Sequence, residues 1–208
     1  AGLKKLKKQF DLKIRVFNKV INIKSKKINF YNILSSIAVL KVLGLDLKKI
    51  ENFFSNFDLV EGRGKVHKIK RFHTNFKLID ESYNANPFST KNAIISLSNI
   101  KKKNFKKYLL LGDMLELGDK SNFYHKDLSK VINKSNIDKL FVYGDKILNT
   151  YKYTKHNMRG NILQNMSDFD EIFSSIIKDG DYIMIKGSNA TGLNMLSKKI
   201  IKGLNNVV

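Results

Sequence analysis

The chain has 208 residues, 42% of them hydrophobic, which is enough for a domain with a buried core. It contains no cysteine, which excludes disulfides and thiolate metal sites, and no apolar run is long enough to span a bilayer. The formal net charge is +21, but arginine occurs only at positions 15, 63, 71 and 159, and the many lysines are spread along the chain, which favours a solvated lysine surface over a nucleic-acid interface.

The first third of the chain predicts short strands followed by two helices. Its first residues, "AGLKKLKKQFDLKIRVF", carry charges throughout and do not predict a signal peptide. Residues 10–30 alternate apolar and polar side chains, which predicts antiparallel strands. "YNILSSIAVLKVLG" predicts a helix that ends at Gly44, and "LDLKKIENFFSNF" predicts a second one. The predicted apolar face of the first helix consists of Ile33, Leu34, Ile37, Ala38 and Leu40.

The segment "EGRGK", residues 61–65, places two glycines around Arg63 and predicts a linker. Beyond it, short and continuously apolar runs alternate with helical stretches. The runs are "KLIDESY" (77–83), "YLLLGDM" (108–114), "KLFVYGD" (139–145) and "DYIMIKGS" (181–188). This pattern predicts an α/β fold with a mostly parallel, Rossmann-like sheet that is covered by helices on both faces.

Polar residues follow each of these apolar runs, where an open α/β sheet binds its ligands. They are Asp80, Glu81, Tyr83 and Asn84; Gly112, Asp113 and Glu116; Gly144 and Asp145; and Lys186, Gly187, Ser188 and Asn189. Any one group by itself is more readily explained as a helix cap or a turn. Four groups at the same edge of one sheet favour a binding site.

The residue types at this edge leave several chemistries open. Asp80 and Glu81 could bind ribose hydroxyls or Mg²⁺, or could cap a helix, and strand alternation predicts that the two do different jobs. Lys186, followed by Gly-Ser, suits an anion. His125 could orient a substrate, although an exposed helix histidine is the more common outcome. No serine has a histidine and an acid at a recognisable offset, so nucleophilic catalysis has no support.

Several motifs together resemble the Mur ligase family. They are "VEGRGKV", "IDESYNANP", "LGDMLELG" followed by His125, and "IKGSNAT". The resemblance extends from about residue 28 to the end of the chain and is greatest to the members that join D-alanyl-D-alanine to UDP-N-acetylmuramoyl-tripeptide. It implies that residues 1–62 are the remnant of a second α/β domain, the end of the family's central ATPase domain. Residues 63–208 would be the family's C-terminal Rossmann-like domain.

The resemblance also implies a reaction, which is ATP-dependent peptide-bond formation in the cytoplasmic phase of peptidoglycan synthesis. The tripeptide carboxylate attacks the γ-phosphate of ATP, which gives an acyl phosphate and ADP. The amine of D-alanyl-D-alanine then attacks the acyl carbonyl, and phosphate leaves. The implied cofactors are ATP and Mg²⁺. The expected full-length enzyme is a cytoplasmic monomer that binds neither nucleic acid nor membrane.

The family motifs imply roles for individual residues. Arg63 would reach the ATP phosphates, Glu81 would hold the ribose hydroxyls, Asn84 and Tyr83 would lie near the nucleotide, and Asn32 would face the adenine. The residues expected on the acceptor side, where D-alanyl-D-alanine binds, are Asp113, Glu116, His125, Lys186 and Ser188. No residue is expected to bind a metal.

Some residues depart from the family pattern. No G-x-x-x-x-G-K-[ST] phosphate loop occurs, Ile28 stands where relatives often have histidine, and Asn189 stands where many have arginine. The chain is therefore expected to be inactive alone. The alternatives are a basic α/β nucleic-acid-binding module, another nucleotide-binding Rossmann protein, which the lack of G-x-G-x-x-G opposes, and an inactive remnant.

Overall fold

A computed structural model describes residues 10–16, 19–25, 30–47, 59–101 and 104–203. The chain forms two compact units, residues 1–58 and residues 59–208. Each unit is described by itself.

The first unit contains the predicted pair of antiparallel strands and the predicted helix. Strand β1 (Phe10–Val16) pairs with β2 (Lys19–Ser25), and helix α1 (Phe30–Val42) follows. The small core of this unit is formed by Ile14, Ile21, Ile23, Ile33, Ile37 and Leu47.

The buried face of α1 is narrower than predicted. Ile33 and Ile37 are buried and Leu40 is half-buried, whereas Leu34 and Ala38 are exposed. Most of the second predicted helix lies outside the described residues. The assignment of this unit to the end of an ATPase domain stays a prediction.

The second unit is built around a six-stranded sheet in the order β3-β4-β8-β5-β6-β7. The strands are β3 (Lys65–Arg71), β4 (Thr74–Glu81), β5 (Lys107–Gly112), β6 (Lys139–Tyr143), β7 (Arg159–Leu163) and β8 (Tyr182–Lys186). Only β3 runs antiparallel to its neighbour, so the predicted mostly parallel sheet is confirmed.

Helices cover both faces of this sheet, as predicted. They are α2 (Pro87–Ser98), α3 (Ser121–Ile132), α4 (Leu148–Tyr153), α5 (Asp168–Ile176) and α6 (Leu193–Lys202). Successive residues of β5 alternate between the two layers: Leu109 packs with the α2–α3 side chains and Leu110 with those of α5 and α6. Burial on both faces explains why the central strands are continuously apolar.

The linker prediction for residues 61–65 is wrong. Lys65 opens β3, and Gly64 N–H donates to the carbonyl of Asp80 at 2.7 Å, so the segment is tied to the sheet. The two edge strands, β3 and β7, were not predicted. In β3, lysines alternate with apolar residues, which is typical of an edge strand that must resist pairing with another chain.

A two-residue turn, Phe72–His73, joins β3 to β4, and both residues have positive φ, 53° and 58°. Such turns favour glycine because a Cβ is strained in the left-handed region. His73 is exposed.

We expect His73→Gly to raise the free energy of unfolding by roughly 0.5–1 kcal/mol, since relief of strain exceeds the entropy that glycine costs. Thermal or urea unfolding measures this change.

The matched control is Lys70→Gly, at an exposed position of β3 with an ordinary φ. That substitution should destabilise the protein. If both glycine variants lose stability alike, the turn is not strained.

Candidate functional site

The carboxyl ends of β4, β8, β5 and β6 lie side by side along one edge of the sheet. The structure thus brings together the four polar groups that follow these strands. We call this edge the ligand edge. The side chains there divide into two neighbouring groups, one after β4 and one around the loop that follows β5.

Asp80 and Glu81 do different jobs, as strand alternation predicted. Asp80 is buried, with 2% exposure, and its carboxylate accepts hydrogen bonds from Gly62 N–H (2.9 Å), Ser82 N–H (3.3 Å) and Ser82 Oγ (2.6 Å). A buried carboxylate needs such donors because desolvation is otherwise costly. Asp80 therefore fixes the 62–64 segment to the end of β4 and is not available to a ligand.

The side chain of Glu81 is 29% exposed at the ligand edge. Its Oε2 lies 3.5 Å from Lys186 Nζ. Its Oε1 would lie 2.8 Å from a Cβ at Gly64, where φ is +85°, so this position requires glycine for both space and conformation. The carboxylate is held between the two and keeps an open side.

The ammonium of Lys186 is almost fully buried, with 2% side-chain exposure, and it donates to the carbonyl of Asn84 at 2.9 Å. Burial lowers the pKa of Lys186 below its usual range. The carboxylate of Glu81 raises this pKa, and the positive charge of Arg63 lowers it further. Lys186 therefore faces the residues that follow β4.

Arg63 completes the group after β4. Its guanidinium carbon lies 4.4 Å from the centre of the Tyr83 ring, a cation–π distance. Arg63, Tyr83 and Asn84 are all exposed, and Asn84 Oδ1 accepts from Ala85 N–H at 2.7 Å. We call Arg63, Glu81, Tyr83, Asn84 and Lys186 the β4-end group; it combines a carboxylate, a guanidinium, an amide, an aromatic ring and a buried ammonium.

The second group surrounds the loop of residues 113–117. Asp113 Oδ1 accepts from Ile147 N–H at 2.7 Å, and its carboxylate rests against Gly144, where a Cβ would come within 2.7 Å of it. Ser188 is buried; its Oγ accepts from Leu115 N–H at 2.9 Å and donates to the carbonyl of Ala85 at 3.3 Å. Ser188 thus connects this loop to the residues after β4.

His125 is fully buried, so the expectation of an exposed helix histidine is wrong. Its Nδ1 donates to the carbonyl of Ser121 at 2.8 Å, and its Nε2 accepts from Met114 N–H at 3.0 Å. Because Nε2 accepts a hydrogen bond, it carries no proton and the imidazole is neutral; burial, which lowers its pKa, acts in the same direction. His125 supports the loop from beneath, and Glu116 lies exposed on that loop with φ 61°.

A cleft of about 430 Å³ opens beside this loop, at the carboxyl ends of β5, β6 and β7. Its lining includes Asp113, Leu115, Asp145, Gln164 and Thr191. The strand-end pattern of the sequence identified Asp145 but not Gln164 or Thr191. Gln164 was missed because it directly follows β7, an edge strand that the sequence did not predict.

The remaining expected residue, Asn32, lies in the first turn of α1, in the other unit. Within the described ranges, no three histidine or acidic side chains lie close enough to hold a metal ion. No helix in the described part of the chain is long and apolar enough to cross a membrane.

Comparisons with known proteins agree with the motifs. The family model "Mur ligase, glutamate ligase domain" matches residues 63–189. The chain is 26% identical over 196 residues to the UDP-N-acetylmuramoyl-tripeptide–D-alanyl-D-alanine ligase of Rickettsia prowazekii, covering 93% of this chain and 42% of that protein. For the Bacillus subtilis ligase of the same name, identity is 30% over 128 residues, covering 60% of this chain and 28% of that protein.

A solved structure of similar fold is the MurF ligase from Thermotoga maritima in complex with ADP. The TM-score is 0.70 at 21% identity, covering 94% of this chain and 45% of that chain. The chain spans less than half the length of these relatives.

The buried, neutral His125 predicts a pH dependence of stability. An unfolded histidine takes up a proton near its ordinary pKa of 6.5, whereas the folded one resists it because its pKa is lowered. The stabilising contribution of the neutral His125 is therefore fully present above pH 6.5. It is lost as the pH drops from 6.5 to the lower pKa of the folded state. The contribution to the slope is at most about 1.4 kcal/mol per pH unit.

We expect His125→Gln, which is neutral at every pH, to lose this contribution, so its stability should fall less steeply below pH 6.5. Urea unfolding at closely spaced pH values measures both slopes. The control is His156→Gln, at an exposed position, which should keep the wild-type slope. Equal slopes in wild type and His125→Gln would show that His125 protonates freely in the folded protein.

Proposed function

The chain belongs to the Mur ligase family, and on that premise we propose that it supplies part of an ATP-dependent ligase that joins D-alanyl-D-alanine to UDP-N-acetylmuramoyl-tripeptide. The observation that carries the proposal is the ligand edge, where the β4-end group stands next to the cleft beside Asp113. Two adjoining sites suit a reaction that brings a nucleotide and an acceptor together. The relatives of similar sequence that carry this name support the choice of substrates.

The β4-end group has the chemistry that ATP requires. A carboxylate with an open side, Glu81, suits the ribose hydroxyls, and the exposed guanidinium of Arg63 suits phosphate oxygens. Tyr83 and Asn84 add an exposed ring and an amide. Asn32 is proposed to face the adenine. When bound, ATP supplies the phosphoryl group that activates the tripeptide carboxylate.

We assign the acceptor to the cleft beside Asp113, and we assign Glu116, which is exposed on the loop next to Leu115 of the cleft lining, to the same acceptor. Asp113 and Ser188 hold their surroundings through backbone hydrogen bonds, and His125 acts beneath the loop as a positioning residue. The task of these residues is to orient the acceptor amine and to exclude water, because catalysis of this kind depends mostly on positioning.

The described residues do not fit a resident Mg²⁺, since they offer no group of three acidic or histidine ligands. A magnesium ion would enter with the nucleotide phosphates, which are its usual ligands. We further propose that the enzyme works in the cytoplasm as a monomer.

A basic nucleic-acid-binding module is the second candidate, favoured only by the net charge of +21. It predicts binding to DNA or RNA that weakens steeply with added salt. Binding of this kind by a protein that shows no ligase activity would favour this alternative.

The first test is phosphate release by the natural protein with ATP, Mg²⁺, UDP-N-acetylmuramoyl-tripeptide and D-alanyl-D-alanine. We expect release to require both peptide substrates, and mass spectrometry should show the joined pentapeptide product. The 208-residue chain alone should release none, because its sequence has no phosphate loop. Turnover without D-alanyl-D-alanine would contradict the proposed acceptor.

The second test addresses Glu81. Glu81→Gln keeps the size of the side chain but removes its charge, so we expect KM for ATP to rise by about tenfold, the loss of charge-assisted hydrogen bonds to the ribose. Steady-state kinetics with each substrate varied in turn measures the change. Glu116→Gln is the matched control and should change KM for D-alanyl-D-alanine instead. An unchanged KM for ATP in Glu81→Gln would remove Glu81 from the nucleotide site.

A further inference from the structure

Lys186 makes its contacts on the β4 side of the ligand edge and not on the acceptor side. Its ammonium lies 2.9 Å from the carbonyl of Asn84 and 3.5 Å from Glu81 Oε2. The cleft beside Asp113 is lined by other residues. These contacts separate Lys186 from the acceptor-binding role that its sequence motif implied.

The burial of the Lys186 side chain also argues against direct contact with the acceptor. Only 2% of the Lys186 side chain is exposed, whereas 29% of the Glu81 side chain is. A substrate carboxylate would have to displace both Glu81 and the Asn84 carbonyl to reach the ammonium. Glu81, in contrast, can bind a ligand on its open side while Lys186 stays in contact with its other side.

Strand register explains why the two residues meet. Glu81 is the last residue of β4 and pairs directly with Lys186, the last residue of β8. Side chains of directly paired residues lie on the same face of the sheet. Gly64 closes the opposite side of the carboxylate, so Glu81 is confined between the ammonium and the backbone of the 62–64 segment.

We propose that Lys186 is a positioning residue that orients the Glu81 carboxylate and the Asn84 backbone for the nucleotide, and that it does not bind the acceptor. The proposal rests on the proposed function. Lys186 supplies an ion pair to the Glu81 carboxylate and a hydrogen bond to the Asn84 carbonyl. Its contribution to ATP binding is therefore transmitted through Glu81.

A double-mutant cycle tests this transmission in the natural protein. The four proteins are wild type, Glu81→Gln, Lys186→Met and the double variant. Lys186→Met should raise KM for ATP by about tenfold in the wild-type background and leave KM for D-alanyl-D-alanine within about twofold. In the Glu81→Gln background, the same substitution should change KM for ATP by no more than about twofold.

Lys107→Met is the matched control. Lys107 is the other fully buried lysine of the described sheet, with 1% exposure, and its Nζ also donates to a carbonyl, that of Ser98, at 2.7 Å. It stands at the first residue of β5, at the opposite edge of the sheet. Its loss should reduce stability and leave both KM values unchanged, whereas a rise in KM for ATP equal to that of Lys186→Met would show a general effect of losing a buried lysine.

The outcomes separate the two readings of Lys186. A rise in KM for D-alanyl-D-alanine with an unchanged KM for ATP would overturn the proposal in favour of direct acceptor binding. The proposal would also be overturned if the fold-change in KM for ATP in the double variant equalled the product of the two single fold-changes. Lys186 and Glu81 would then act independently. If Lys186→Met does not fold, Lys186→Gln, which keeps one donor for the Asn84 carbonyl, takes its place in the cycle.

Failure of the proposed function would be recognised separately. If the wild-type protein joins no substrates but binds ATP, the same cycle is run on the Kd for ATP by calorimetry, with the same expected pattern. A wild-type protein that binds no ATP would overturn both the function and the role of Lys186.

Discussion

The central strands of the second unit's sheet are buried on both faces, and this constraint determines where polar side chains can lie. Continuous burial leaves the strand interiors to apolar side chains, because a polar group there would lose its water without gaining a partner. Polar residues can therefore accumulate only where strands end. Parallel strands all end at the same edge, so four separate segments of the sequence, after β4, β5, β6 and β8, meet there.

Two charges are nevertheless buried at this edge, and each is compensated by neighbours that lie in the β4-end group or directly beside it. Asp80 receives three hydrogen bonds, one of them from Gly62, and so fixes the segment that presents Arg63. Lys186 is compensated by Glu81 and by the Asn84 carbonyl. Because a buried charge cannot lose its partner cheaply, the fold and the geometry of the β4-end group are energetically coupled.

Elements with a continuously apolar or clearly helical pattern could be predicted from the sequence. Elements that mix charged and apolar residues, such as an edge strand, could not. The apolar runs of β4, β5, β6 and β8 were recognised, and so were helices α2, α3 and α5 between them, but the short helix α4 was missed. Strand β3 was missed because its lysines alternate with apolar residues at an edge, and because the glycines that precede it, at 62 and 64, were interpreted as a linker. Those glycines in fact allow close contact with Tyr83 and Glu81.

Motifs identified the residues of the candidate site but not their partners, because partners depend on strand register and on loop geometry. Lys186 and Glu81 are more than a hundred positions apart in sequence, and only the pairing of β4 with β8 brings them together. His125 and Ser188 show the same limit: each bonds a backbone N–H of the loop after β5, through contacts that span 11 and 73 positions. Met114 anchors that loop in the hydrophobic core, and the side chains of His125 and Ser188 hold its backbone N–H groups. A substitution at His125 or Ser188 therefore acts on the cleft through the loop backbone, in the way that Lys186 acts through Glu81.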